Sequence, residues 1–404
     1  MIEMMDGFPP KQNAQVTLAN WRTPPFNVWA FHHVREIVPS AEISNDPQNV
    51  WELESRQCEL TECRVPGTRG EELSWPDFLQ QTHCDGLVIL HQGRLVYESY
   101  ANGLTCHTPH ILMSVSKSVL GLLAGILETM GTIDVEDQVT DYVPELSCTA
   151  YQGATLRNLL DMRAGILFDE DYLADSGPLI EYRRATNWNP PEQETKPTDL
   201  RSFYQLLKEN DGQHGQRFQY VSPNTDLLAW IIERASGRRY CDLVSELLWK
   251  PMGAEQSAYI TVDRLGAPRA AGGMCATVRD LARLGQLLSQ DGRRDGRQIL
   301  PVGWINDLYS GGSSQAWAQG SFTAYYPGLP ICYRSQWYVL DDEAPLLFGL
   351  GIHGQNVFVD RTNALVIASL SSQPLPLNPK LISLTMNAVK AVRQQLCKGP
   401  SARS

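Results

Sequence analysis

The stretch GLVILHQGRLVYESY, residues 86–100, decides the architecture. Two apolar runs flank Gln92-Gly93, and a glycine-containing pair between strand-like runs signals a tight hairpin. Near the other end, GLGIHGQNVFVDRTNALVIASLSS (349–372) repeats the pattern, with Asp360 to Asn363 as the turn. An isolated hairpin is marginal in water, so two of them need partners. One antiparallel sheet assembled from both ends of the chain is the economical arrangement.

Between the hairpins the pattern turns helical. Ser114 to Met130 carries apolar residues at 119, 122, 123, 126, 127 and 130 and is closed by Gly131, a helical period with a helical stop. Further helices are expected over Leu156–Met162, over Asn224–Ala235 stopped by Gly237, and over Cys241–Trp249 stopped by Pro251. Another covers Thr277–Leu288, with Thr277 as N-cap and Asp280 in the first turn. The fold class is therefore α+β: an antiparallel sheet of N- and C-terminal strands, flanked by helices, with a mostly helical inserted subdomain. Residues 1–75, rich in Pro, Asn and charge and carrying Trp21, Trp29 and Trp51, form an extended arm packed on the body. The body spans 76–404, its α/β part about 76–130 and 290–404 and its helical part about 131–289. Repeats and low-complexity linkers are absent.

Composition narrows the function. The 404 residues are 43% hydrophobic and 20% charged, with a formal net charge of −11. No dense Lys/Arg cluster could neutralise phosphates, so neither nucleic acid nor an anionic membrane is the expected partner. A small molecule is; a homodimer is left open. Nine cysteines without a framework, and an N-terminus that does not resemble a secretory signal, favour the reducing cytoplasm. The longest apolar stretch, Val119 to Ile126, is too short to span a bilayer. Cys58, Cys63, His83 and Cys84 could in principle hold zinc, but their spacing is loose and no metal is expected. Walker loops, H-E-x-x-H, G-x-S-x-G and helix-opening G-x-G-x-x-G are also missing, so no cofactor is expected.

Three elements carry chemistry. Ser114-Val115-Ser116-Lys117 opens a helix, and a spacing of three places Ser114 and Lys117 on one face. A serine hydroxyl needs a base to become a nucleophile, and lysine serves when burial lowers its pKa. Lys117 stands at the start of an apolar helix, where a lysine is costly without a partner or a task. By itself the pair is also a spacing that chance supplies. The second element is Tyr220-Val221-Ser222-Pro223-Asn224, just before a helix; Tyr220 suits a proton relay, or the segment is simply an N-cap with Tyr220 packing. The third, Gly349-Leu350-Gly351-Ile352-His353-Gly354-Gln355, has glycines at alternate positions, which admit a ligand or another backbone, or mark a bulge.

In this order the three elements resemble the serine β-lactamase and penicillin-binding superfamily, whose motifs are S-x-x-K, Y-x-N or S-x-N, and K-T-G. The resemblance is nearest to its 6-aminohexanoate-dimer hydrolase branch and related carboxylesterases. It runs through LMSVSKS, DYVPEL, LLDMRAGILFDEDY, FQYVSPNTDLLAWIIER, ATVRDLARLGQLL and GIHGQNVFVD. It implies a class C-like fold and an acyl-enzyme on Ser114, with Lys117 and Tyr220 moving protons. It further implies an oxyanion held by the backbone N–H groups of Ser114 and Ile352. Tyr172 would contact the leaving amine, and Trp188 would lie in a loop closing over substrate. Ser222, Asn224 and His353 are the other residues expected to touch substrate.

Two departures stand out: Gly349-Leu350-Gly351 replaces Lys-Thr-Gly, and Ser222 replaces the asparagine of Y-x-N. The missing lysine makes penicillin-type substrates less fitting. The expected activity is hydrolysis of amides or esters of small linear acyl compounds. Acyl transfer through the same intermediate, a β-lactamase or D-alanyl-D-alanine peptidase, and a catalytically silent binding protein are the competing readings.

Overall fold

The computed structural model describes residues 3–56, 58, 60, 62–192 and 198–397. Strands β1 (Cys84–His91) and β2 (Arg94–Tyr100) form the first hairpin. Its turn residues Gln92 and Gly93 both have positive φ, 52° and 77°, as a turn matched to strand twist requires. Five later strands follow: β3 (Ile331–Arg334), β4 (Trp337–Leu340), β5 (Leu346–Gly351), β6 (Gln355–Asp360) and β7 (Leu365–Ser371). The seven pair antiparallel in the order β3-β4-β5-β6-β7-β1-β2. The contact between β7 and β1 joins the two ends of the chain.

Both faces of the sheet are covered, which explains apolar runs where simple alternation would mark one wet face. Val88, Leu90, Val357, Val359, Val366 and Ala368 point into one core. That core is shared with helices α1 (Val115–Thr129) and α3 (Val278–Ser289). Their sequence neighbours Leu87, Ile89, Phe358, Leu365 and Ile367 point the other way, into a core shared with helix α4 (Pro379–Cys397). The period of two thus survives as a division between two apolar layers.

Helix α2 (Ser222–Ser236) packs against α1 and belongs to the helical part. Helix α3, grouped by sequence with that helical part, instead lies on β6, β7 and β1. Its Thr277 side chain caps it by accepting from the Asp280 N–H. The helix expected to stop at Pro251 passes through it, widening to a π turn over Ser245–Trp249 and ending at Gly253.

A second sheet is absent from the sequence reading. Strands Ser40–Ile43, Ala258–Thr261, Met274–Ala276 and His110–Ile111 pair in that order, antiparallel. The arm supplies its first strand, so residues before 75 are built of short helical turns and strands rather than one extended segment. Trp21, Phe31, Val34 and Val38 of the arm bury against Ile111, Met113, Trp188 and Tyr259. Its last strand, His110–Ile111, leads directly into Ser114. No helix among the described residues is long and apolar enough to cross a membrane.

Candidate active site

Ser114 is the N-cap of α1, yet its hydroxyl does not cap the helix. Lys117, one turn on, is buried and donates from Nζ to Ser114 Oγ at 2.9 Å and to the Ala271 carbonyl at 2.7 Å. Tyr220 lines the same cleft as Ser114, and the serine hydroxyl acts on its phenol. Lys117 Nζ also lies 4.8 Å from the centre of the Tyr220 ring. The Ser114–Lys117 pair and Tyr220, which the sequence separates by more than a hundred residues, therefore meet.

Burial sets their protonation. Desolvation lowers the Lys117 ammonium to a pKa of about 7, with Arg269 lowering it further while Glu170 and Asp226 oppose. The Tyr220 phenol moves the other way: burial, then the Glu170 charge, push it up, against the nearby Ser114 hydroxyl. The lysine can thus be neutral near neutral pH, whereas the tyrosine keeps its proton.

The backbone around Ser114 is held tightly. Leu112 N–H donates to Met274 O at 2.8 Å, and Ser116 Oγ accepts from Met274 N–H at 3.1 Å. Met113, just before Ser114, has φ 45°, and His353, just after Ile352, has φ 64°. Such left-handed conformations at non-glycine residues are strained and persist where surroundings impose them. Between them β5 comes so close that a Cβ on Gly351 would stand 2.6 Å from Leu112 O. Glycine is what allows Ile352 to line the same cavities as Ser114.

Ser114 borders two cavities. One is an aromatic cleft walled by Tyr220, Phe322, Tyr325, Tyr326, Leu350 and Leu381 among others. Phe322 stacks on Tyr220 with ring centres 4.7 Å apart. The other, smaller, is lined by Arg22, Glu170, Arg183, Trp188, Ser222 and Arg269, with Tyr172 shared between the two.

Tyr172 donates to Glu170 Oε1 at 2.8 Å. Ser222 donates to the same carboxylate from its hydroxyl, and its backbone N–H donates at 2.6 Å. Trp188 is buried, its Nε1–H donating to Thr261 Oγ1 at 3.1 Å, so it is a fixed wall of the cavity.

Two expected substrate contacts do not reach either cavity. Asn224 faces the protein core, where its Oδ1 accepts from the Tyr151 hydroxyl at 3.0 Å. His353 is turned away by its own backbone: Nδ1 bonds Gln373 O at 2.7 Å, and burial lowers its pKa to about 4. It holds the turn after Ile352 as a neutral ring.

Sequence reasoning missed Glu170, Arg22, Arg183 and Arg269. Glu170 stands two residues before Tyr172 in FDEDY and might have been read with it by proximity alone. Arg269 pairs with Asp226, which also accepts from Tyr182 and from the Ala271 N–H at 2.7 Å. This buried pair fixes the carbonyl that holds Lys117, and no local signal links residues so far apart.

Comparison with known proteins shows the family of the chain. The profile of the Beta-lactamase family matches residues 77–385. The 6-aminohexanoate-dimer hydrolase of Paenarthrobacter ureafaciens is 36% identical over 370 residues, 91% of each chain. The solved structure of a candidate 6-aminohexanoate-dimer hydrolase from Bacillus anthracis superposes with a TM-score of 0.87 at 28% identity, covering 97% of this chain and all of that one. EstCE1, a hydrolase with promiscuous acyltransferase activity, shares the fold at a TM-score of 0.60 and 17% identity, over 78% of this chain and 98% of its own. The chain belongs to the β-lactamase family of serine hydrolases.

Proposed function

We propose that the protein hydrolyses amide or ester bonds of small linear acyl substrates through a Ser114 acyl-enzyme. The observation that carries this is a lysine with a pKa of about 7 whose Nζ is 2.9 Å from Ser114 Oγ. Neutral Lys117 takes the hydroxyl proton as Oγ attacks the carbonyl carbon. The oxyanion is met by the backbone N–H groups of Ser114 and Ile352, on either side of the close approach at Gly351. Tyr220, still a phenol, passes its proton to the departing amine or alcohol and recovers one from Lys117. Water then attacks the acyl carbon by the reverse proton path, releasing the acid and restoring Ser114.

The relative's substrate, a 6-aminohexanoate dimer, is an amide of this class and a reasonable first substrate to try. Gly349 stands where the penicillin-binding pattern has a lysine, and the apolar Leu350 and Ile352 beside it line the cleft, so slow nitrocefin turnover is expected. All nine cysteines are free, which suits the cytoplasm as the place of action. Tyr172, Trp188 and Ser222 are the substrate-facing residues of this reading. Ser114→Ala should abolish p-nitrophenyl ester turnover; undiminished turnover contradicts the proposal.

A further inference from the structure

The two cavities beside Ser114 differ in charge as well as shape. The aromatic cleft borders Tyr220, while Tyr220 is absent from the lining of the smaller cavity. The smaller one instead gathers three guanidinium groups: Arg22 from the arm, Arg183 from the helix Pro178–Ala185, and Arg269.

Arg269 is neutralised by Asp226. The other two are not: among the described residues, neither Arg22 nor Arg183 forms an ion pair. Arg183 donates to the Tyr172 carbonyl at 3.1 Å, and Arg22 to the Trp188 carbonyl at 3.3 Å and to Asn189 Oδ1. Carbonyl and amide oxygens orient a guanidinium without cancelling its charge. Arg22 Nε is buried without a partner, and so is Arg269 Nε. Each of Arg22 and Arg183 is pulled below the ordinary arginine range by burial, and Arg22 further by Arg183 and Arg269. The opposing charge in the cavity is Glu170, already bound to Ser222 and Tyr172. Two cations against one carboxylate leave the cavity short of an anion.

We propose that this cavity is the acyl subsite and that the protein selects substrates whose acyl chain ends in a carboxylate, that is, monoesters or monoamides of linear dicarboxylic acids. The inference rests on the Ser114–Tyr220 reading above, because that reading assigns the sides. A leaving group protonated by Tyr220 departs into the aromatic cleft, so the acyl chain lies opposite, between Trp188 and the arginines. A planar guanidinium is suited to a carboxylate, and each charge-assisted bond in a partly dry site adds selectivity.

The test compares p-nitrophenyl esters with one leaving group and three acyl ends: the glutarate and adipate monoesters, the neutral hexanoate, and the cationic 6-aminohexanoate. The wild-type protein should favour a carboxylate-ended ester over the neutral one by about tenfold or more in kcat/KM. Arg183→Gln should shrink that ratio, and Arg183→Glu should invert it towards the ammonium ester. Equal or poorer turnover of both carboxylate esters overturns the inference while leaving the Ser114 reading intact, and so does a ratio unchanged in Arg183→Glu. Failure of every ester to turn over removes the Ser114 reading and this inference with it. The wild-type panel needs no variant, so a misfolded Arg183 substitution does not blunt the test.

Discussion

Lys117 carries the proposed proton transfer and a cost to stability, and both depend on pH. Its neutral form is the proposed base, so kcat/KM for a neutral ester should rise with pH through a midpoint near 7 and then level off. Glu170 favours the ammonium, so Glu170→Gln should move that midpoint lower. A flat profile across neutrality, or a midpoint near the ordinary lysine value of about 10.4, counts against the assignment. The same shift acts on folding. Between about 7 and 10.4 the unfolded chain holds this proton and the folded protein does not, so stability climbs with pH across that interval. The penalty of burying the ammonium is fully present below 7. A neutral Lys117→Met variant lacks it, so its melting temperature relative to wild type should be highest in mild acid and fall as pH rises. Thermal melts of both proteins across that range give the comparison.

Among the elements, β5 sets where the proposed oxyanion donor, the Ile352 N–H, would stand. A side chain at 351 would drive the strand away from Leu112 and carry the Ile352 N–H with it. Gly351→Val should therefore lower kcat on the order of a hundredfold, the usual loss for one oxyanion donor, with a smaller change in KM. Unchanged kcat in a folded variant would mean that the Ile352 N–H takes no part.

The elements also show what sequence could and could not deliver. The two hairpins and helices α1, α2 and α3 were legible because they are long enough for their period to register. The second sheet was not, because its strands run from two to four residues and its partners are far apart in the chain. In the site, Ser114, Lys117 and Tyr220 were legible as spaced motifs. Glu170, Arg183 and Arg269 act through tertiary neighbours, so their positions carried no periodic or spacing signal. Asn224 misled because a motif letter says nothing about which side of a helix turn faces the cleft.

At the scale of the whole molecule, the arm binds the two halves of the active site together. Trp21 is fully buried, its ring 5.2 Å from that of Trp188, and its Nε1–H donates to the Trp188 carbonyl at 3.2 Å. Phe31 O accepts from the Ile111 N–H at 2.8 Å, three residues before Ser114. The N-terminal residues are thus part of the core next to the site. Trp21→Ala should cost about 3–5 kcal/mol of stability, as large aromatic truncations in cores do. It should also loosen Arg22 and Trp188 together. Chemical denaturation measures the first effect; a loss under 1 kcal/mol would place the arm outside the cooperative unit.

Mass spectrometry of the intact protein, stopped during turnover of a p-nitrophenyl ester and followed by peptide mapping, tests the covalent step most directly. The account predicts one added acyl group, carried by Ser114 and absent from Ser114→Ala. An acyl group on another residue, or catalysis at full rate with Ser114 never modified, would contradict it.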